Sequence, residues 1–129
     1  MRSLSKNKII LVFGCGGDRD KTKRPRMGRV AVRLADFVIL TSDNPRSENP
    51  EEITSDIIRG ISKSKTNYHV ILDRARAISR ALSIARKRDI VLIAGKGHER
   101  SQIFADKIIP FNDRETVERI LQNRLAKKV

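Results

Sequence analysis

Asp36-Phe37-Val38-Ile39-Leu40-Thr41-Ser42-Asp43-Asn44-Pro45-Arg46 is the stretch on which the reading of this chain turns: an apolar strand over residues 36–41, then a polar loop. Two more loops leave the ends of similar apolar runs. They are Gly14-Cys15-Gly16-Gly17-Asp18-Arg19-Asp20 after residues 8–13, and Gly95-Lys96-Gly97-His98-Glu99 after residues 89–94. In an open α/β sheet the ligand crevice lies outside the carboxyl ends of the strands. Three loops carrying Gly, Arg, Asn and Glu at that edge describe a site for a small molecule with both signs of charge.

Working outward, strand-like apolar runs alternate with helical periodicity. Pro25 suits the first turn of a helix, with Met27, Val30, Ala31 and Leu34 on one face of it. Asn49-Pro50-Glu51-Glu52 combines an Asn cap, a Pro at the first position and a Glu three residues after the cap, and Ile53, Ile57 and Ile61 follow as a buried stripe. Residues 68–72 make a third strand, and Asp73 caps a helix that carries Ile78, Leu82 and Ala85 inward. Residues 89–94 are continuously apolar, the pattern of a central parallel strand with no wet face. Residues 102–104 and 107–111 form a hairpin turning at Ala105-Asp106. Asn112 or Asp113 then caps a last helix with Val117, Ile120, Leu121 and Leu125 facing in. The expected fold is a three-layer, Rossmann-like α/β domain: a mostly parallel sheet with an antiparallel hairpin at the edge.

The 129 residues suffice for one domain. Apolar runs are too short to span a membrane, and the polar start over residues 1–8 does not read as a signal peptide. A single Cys15 makes no internal disulfide and suits a reducing cytoplasm. The net charge of +13 comes from 28 Lys and Arg against 15 Asp and Glu. These charges are scattered along helices rather than gathered in a tract. With no Trp, one Tyr and four Phe, a base-stacking platform is poorly supplied, so a nucleic-acid partner is not expected.

Familiar motifs fail on inspection. In a dinucleotide fingerprint the third glycine after Gly14 and Gly16 would stand at position 19, which is Arg19, and no helix follows directly. Lys96 is followed by Gly97, not by the Ser or Thr of a P-loop. His69 and His98 lack ligand-spaced companions, so no metal site is expected. Cys15 reads as a small residue in a crowded glycine turn rather than as a nucleophile.

Taken together, Val12-Phe13-Gly14-Cys15-Gly16-Gly17-Asp18-Arg19-Asp20, Lys23-Arg24-Pro25, Thr41-Ser42-Asp43-Asn44-Pro45-Arg46 and Ala94-Gly95-Lys96-Gly97-His98-Glu99 resemble the C-terminal domain of the Mur ligases. The branch most similar is the one that adds meso-diaminopimelate. Asp113-Arg114-Glu115 fits as well, and the resemblance runs from about residue 8 to about residue 121. Each motif alone is weak, but their order and spacing make the match specific.

The resemblance implies that residues 1–129 are the amino-acid-delivering domain of a three-domain ligase, without the UDP-substrate and central ATPase domains. It also implies that the domain's usual first strand–helix unit, beginning Asp-Tyr-Ala-His, is missing. The complete enzyme would phosphorylate UDP-N-acetylmuramoyl-L-alanyl-D-glutamate with ATP and Mg²⁺, then join it to meso-diaminopimelate in cytoplasmic peptidoglycan synthesis. ATP and Mg²⁺ sites would lie mostly outside this chain, which alone would be inactive and carry no catalytic residue. The resemblance assigns diaminopimelate binding to Arg19, Asp43, Asn44, Pro45, Arg46, Gly95 and Glu99. It gives no role to Lys23, Lys96 or His98. One departure is Arg100-Ser101 before Gln102, where the family has an aromatic residue two positions after the Glu.

The loop chemistry agrees. The far end of diaminopimelate carries a carboxylate, which Arg19 and Arg46 can grip through a planar fork, and an ammonium, which Glu99 can pair. Asn44 offers both a carbonyl and an amide. Asp43 and Pro45 are expected mostly to shape the loop. The bland alternative makes these charges solvated loop residues, and a second functional reading makes the chain a stand-alone, non-catalytic amino-acid-binding or interaction module derived from the same domain.

Overall fold

The computed structural model describes residues 7–128, so the reading of the first six residues as no signal peptide lies outside the described residues. The elements follow the chain as β1 (Ile9–Phe13), α1 (Arg24–Leu34, after a 3-10 turn at Lys21–Lys23), β2 (Phe37–Leu40), α2 (Pro50–Ile58) and β3 (Tyr68–Val70). Then come α3 (Arg74–Ile84), β4 (Ile90–Ile93), β5 (Ser101–Ile103), β6 (Ile108–Pro110) and α4 (Asp113–Lys128). Strands β3-β2-β1-β4 form one parallel sheet, with Val12 beside Ile39 and Leu11 beside Leu92. Strands β5 and β6 pair antiparallel, Ile103 with Ile108, as a small sheet of their own.

Three layers follow from the two-residue period of the strands. Phe13, Val38 and Leu40 face one way and pack with Ala31, Val32, Ile53 and Ile57 of α1 and α2. Ile10, Val12 and Ile39 face the other way, against Ala77, Ile78 and Ala81 of α3, with Val117 and Ile120 of α4 alongside. The expected α/β fold with its antiparallel hairpin is therefore present. Its helix starts are chemically specified: Asn49 Oδ1 accepts from Glu51 N at 2.8 Å, and Asp73 Oδ1 from Arg76 N at 3.1 Å. Asn112 Oδ1 accepts from Glu115 N at 3.0 Å, so Asn112 is the cap of α4.

Three expectations about burial are corrected. Strand β4 is an edge strand hydrogen-bonded to β1, and Ile90 and Leu92 are 52% and 49% exposed. On α1 the buried residues are Arg24, Gly28, Ala31 and Val32, whereas Met27, Val30 and Leu34 are exposed, Leu34 at 69%. On α4, Leu121 and Leu125 are exposed. An apolar pattern records which side chains are fit to be covered, and the covering layer itself has to come from elsewhere. Here Leu11, Phe13, Met27, Val30, Ala31 and Ala94 line an open apolar groove of about 380 Å³ along β1 and α1.

Two buried arginines set the loops at the carboxyl edge of the sheet. Arg74, at the start of α3, holds Asp113 with Nε and Nη2, both at 2.8 Å. Its remaining donors reach Ser42 O and Ala94 O at 3.1 Å each, joining the ends of β2 and β4 to α4. Arg24 takes both oxygens of Glu48 at 2.9 and 3.0 Å, Asp56 at 3.0 Å, and the carbonyl of Gly16 at 3.0 Å. It therefore ties the glycine loop to the segment before α2.

The Arg24 grip pulls the Glu48 carboxyl from an ordinary 4.5 down to about 2. On acidification the unfolded chain takes up this proton first. The contribution is thus complete above about pH 4.5 and is lost as the pH falls toward 2. Glu48→Gln is expected to lower the urea midpoint at neutral pH and to flatten its decline over that acid range. Parallel midpoint-against-pH curves for parent and variant would remove Glu48 from this role.

Candidate functional site

The order β3-β2-β1-β4 reverses direction at β1, so the loops after β1 and β4 diverge at the switch point where open sheets take their ligands. The loop after β2 completes the edge. Close backbone packing brings it to the glycine loop: Gly17 N donates to Asn44 O at 2.7 Å, and a Cβ at Gly17 would lie 1.8 Å from Pro45 O. Only glycine admits that approach. The hairpin then holds the same loop from the other side. Arg46 N donates to Ile103 O at 2.9 Å, and Gln102 Nε2 donates to Asp43 O at 2.9 Å and Ser42 O at 3.2 Å.

Within this frame Arg46 stands with a left-handed backbone, φ 53°. That conformation is uncommon for a bulky residue and is held by the surrounding contacts. Its Nη1 donates to Gly17 O at 3.0 Å and Asn44 O at 3.5 Å. Nε and Nη2 have no hydrogen bond among the described residues. Arg19 is exposed and borders the same spot: a Cβ at Gly16 would lie 3.0 Å from Arg46 Nη1 and 3.6 Å from Arg19 Cγ.

Asn44, in the same loop, is buried with both ends of its side-chain amide hydrogen-bonded. Its Oδ1 accepts from Ile103 N at 3.0 Å and from Lys96 Nζ at 2.7 Å, while Nδ2 donates to Glu99 Oε1 at 3.1 Å. Glu99 also receives Lys96 Nζ at 3.2 Å, and these bonds, Lys96 first, hold its carboxyl below the ordinary carboxylate range. Glu99 thus pairs inward, not with the surface around Arg100, whose partner is Glu115. Asp43 is mostly buried, 3.2 Å from Lys96 Nζ, and one of its oxygens lies 3.5 Å from where a Cβ at Gly95 would stand. Gly95 has φ 112°, open to glycine and strained for other residues.

The structure therefore gathers Arg19, Asp43, Asn44, Pro45, Arg46, Gly95 and Glu99 around one edge. Pro45 is buried and stiffens the loop, and its carbonyl accepts from Glu48 N at 3.0 Å. Lys23 and His98 are exposed. Cys15 is buried with its Sγ 3.6 Å from Met27 Sδ, and burial pushes its thiol up to about 11, which suits packing and not nucleophilic attack. Sequence reasoning missed four residues that shape the site: Lys96, Arg24, Arg74 and Gln102. Of these, Lys96, a lone cation between two glycines, and Arg24, within Lys23-Arg24-Pro25, stood in motifs of the sequence without an assigned role.

Comparisons with known proteins show the family to which this fold belongs. The family model described as "Mur ligase, glutamate ligase domain" matches residues 1–97. A UDP-N-acetylmuramoyl-L-alanyl-D-glutamate--2,6-diaminopimelate ligase of Caldanaerobacter subterraneus subsp. tengcongensis is 58% identical over 121 residues, 94% of this chain and 25% of the relative. The ligase of that name from Prochlorococcus marinus subsp. pastoris is 50% identical over 129 residues, 99% of this chain and 25% of the relative. A solved structure of such a ligase superimposes with a TM-score of 0.86 at 45% identity, over 92% of this chain and 24% of that one. The chain spans about a quarter of the length of these relatives. With the glycine loop, the Asp-Asn-Pro-Arg turn and the Gly-Lys-Gly-His-Glu loop converging at one sheet edge, the chain belongs to the Mur ligase family, as its C-terminal domain.

Proposed function

We propose that this domain binds the incoming meso-diaminopimelate for an ATP-dependent ligase of cytoplasmic peptidoglycan synthesis, whose UDP-substrate and ATPase domains are other parts of the same enzyme. The carrying observation is Arg46: its guanidinium is fixed by backbone carbonyls on one nitrogen, with Nε and Nη2 left for a carboxylate. Arg19 beside it adds a second cation, and the half-exposed Glu99 carboxylate opposite suits the neighbouring ammonium. Such a pocket takes one amino-acid head and leaves the other end of the molecule, with its attacking amine, directed to the acyl phosphate. The relatives, which are named as 2,6-diaminopimelate ligases, support the same substrate.

Selectivity against lysine follows from charge. Lysine would bring a bare ammonium to Arg46, an uncompensated like charge, where diaminopimelate brings a carboxylate.

The residues present do not fit the ATP phosphates or Mg²⁺. Lys96 is enclosed by Asp43, Asn44 and Glu99 rather than open to a phosphate. Among the described residues no group of three acidic, His or Cys side chains is set to hold a metal, and no helix is long and apolar enough to cross a membrane. Our reading leaves phosphoryl chemistry to the other domains, and the isolated chain is expected to show no ATP turnover above an Arg46→Ala control. The domain's first strand–helix unit, in this reading, covers the exposed apolar side chains of Ile90, Leu92, Met27 and Val30.

Two measurements test these statements. In a ligase whose C-terminal domain is this chain, Arg46→Ala is expected to raise KM for meso-diaminopimelate about a hundredfold, since charged hydrogen bonds contribute roughly 1.5–3 kcal/mol each. KM for ATP should stay near the parent's, and Arg46→Lys should recover only part of the loss. Diaminopimelate kinetics within twofold of the parent would make Arg46 a surface charge. Separately, extending the chain with the family's strand–helix unit is expected to raise Tm and to protect the β4 amides from hydrogen exchange. An unchanged Tm and freely exchanging β4 amides would refute that packing.

A further inference from the structure

Lys96 is a buried residue of the site to which neither the family resemblance nor the substrate reading gives a role. Its side chain is 0% exposed, although its neighbours Gly95, Gly97, His98 and Glu99 are all exposed. Burying a lysine forfeits the hydration of its ammonium, so such a residue persists only where oxygens replace the lost water. Here three do: Asn44 Oδ1 at 2.7 Å, Glu99 Oε1 at 3.2 Å and Asp43 Oδ1 at 3.2 Å. Asp43 Oδ1 is itself buried and has no hydrogen bond, so the ammonium's charge is what offsets it.

The consequences reach the pocket through Asn44. Two donors, Lys96 Nζ and Ile103 N, converge on one end of its amide, which must therefore be the oxygen. The Nδ2 end is then turned to Glu99 Oε1. Oε1 accepts from both Asn44 and Lys96, while Oε2 has no hydrogen bond among the described residues on a side chain that is 51% exposed.

We propose that Lys96 is the positioning residue of this site, its buried ammonium fixing Asn44 and Glu99 so that one free carboxylate oxygen faces the ammonium of the bound amino-acid head. This rests on the diaminopimelate reading for the identity of the head, though not for the internal arrangement. Lys96 touches no ligand in this scheme and acts through its two neighbours. Its removal should therefore injure recognition of the ammonium and spare recognition of the carboxylate at Arg46.

The test uses the chain itself, Lys96→Met, and two ligands of equal length. Meso-diaminopimelate carries a carboxylate and an ammonium at each end, whereas pimelate carries the carboxylates alone. Calorimetric titration is expected to show Lys96→Met reducing the preference for diaminopimelate over pimelate about tenfold, the scale of one charge-assisted hydrogen bond. A general loosening of the fold would weaken both ligands alike, and that result overturns the proposal.

A second arm needs no ligand. The carboxyl carbon of Glu99, followed by NMR against pH, should titrate at higher pH in Lys96→Met than in the parent, and an unshifted midpoint counts against us. Should that variant fail to fold, the parent still decides. Its Lys96 ammonium protons are expected to be protected from exchange and correlated through the hydrogen bond to Asn44 Cγ, and rapid exchange would refute the arrangement. If the parent binds neither ligand while its ammonium is protected and Glu99 shifts as stated, the positioning role stands and the diaminopimelate reading falls.

Discussion

Carbonyl oxygens at the carboxyl ends of parallel strands and in the loops beyond them need donors, and in this domain side chains supply many of them. Arg74 serves Ser42 O and Ala94 O, Arg24 serves Gly16 O, Arg46 serves Gly17 O and Asn44 O, and Gln102 serves Ser42 O and Asp43 O. A buried carbonyl without a partner costs as much as a lost hydrogen bond, so each of these side chains is held as firmly as it holds. The three loops of the site are tied to one another because side-chain donors reach from one to the next. Part of the chain's large positive charge is thus internal, matched to carbonyls, Glu48, Asp56 and Asp113, and is not a surface for polyanions.

That frame brings groups of both charges to one sheet edge with few residues. The loop after β2 supplies both Arg46 and Asn44, and Asn44 Nδ2 carries the loop on to Glu99. Gly17 lets the glycine loop lie against that turn, and the hairpin closes over it through Ile103. The left-handed backbone at Arg46, like that at Asp18 in the glycine loop, is strained, and at Arg46 it is anchored at the amide by Ile103 O and at the side chain by Gly17 O. Strain of this kind persists where surrounding contacts over-determine it, and it aims the guanidinium across Gly16 instead of into solvent.

Local sequence was a good guide wherever the relevant forces act over a few residues. The Asn49 and Asp73 caps, the Ile53 and Ile57 stripe, the hairpin turn at Ala105-Asp106 and the parallel strands all stand where short-range patterns put them. The same patterns overreached where burial depends on a distant partner. Leu92 and Val30 have the chemistry of core residues and lie exposed, because no described element packs beside α1 over that face of β4.

The sequence by itself determined the fold class, the three loops and the residue types that could meet a carboxylate and an ammonium, since periodicity, capping and side-chain chemistry are properties of short stretches. Tertiary structure alone decided which polar groups are spent inside. Lys96 and Arg46 are both basic loop residues in the sequence, yet one is sealed among Asp43, Asn44 and Glu99 while the other keeps two nitrogens open. Their difference comes from residues some 50 positions away along the chain, as the Lys96–Asn44 bond spans 52 positions. Hydrogen bonds between such distant groups exist only once the sheet has set its strand order, which no local pattern encodes.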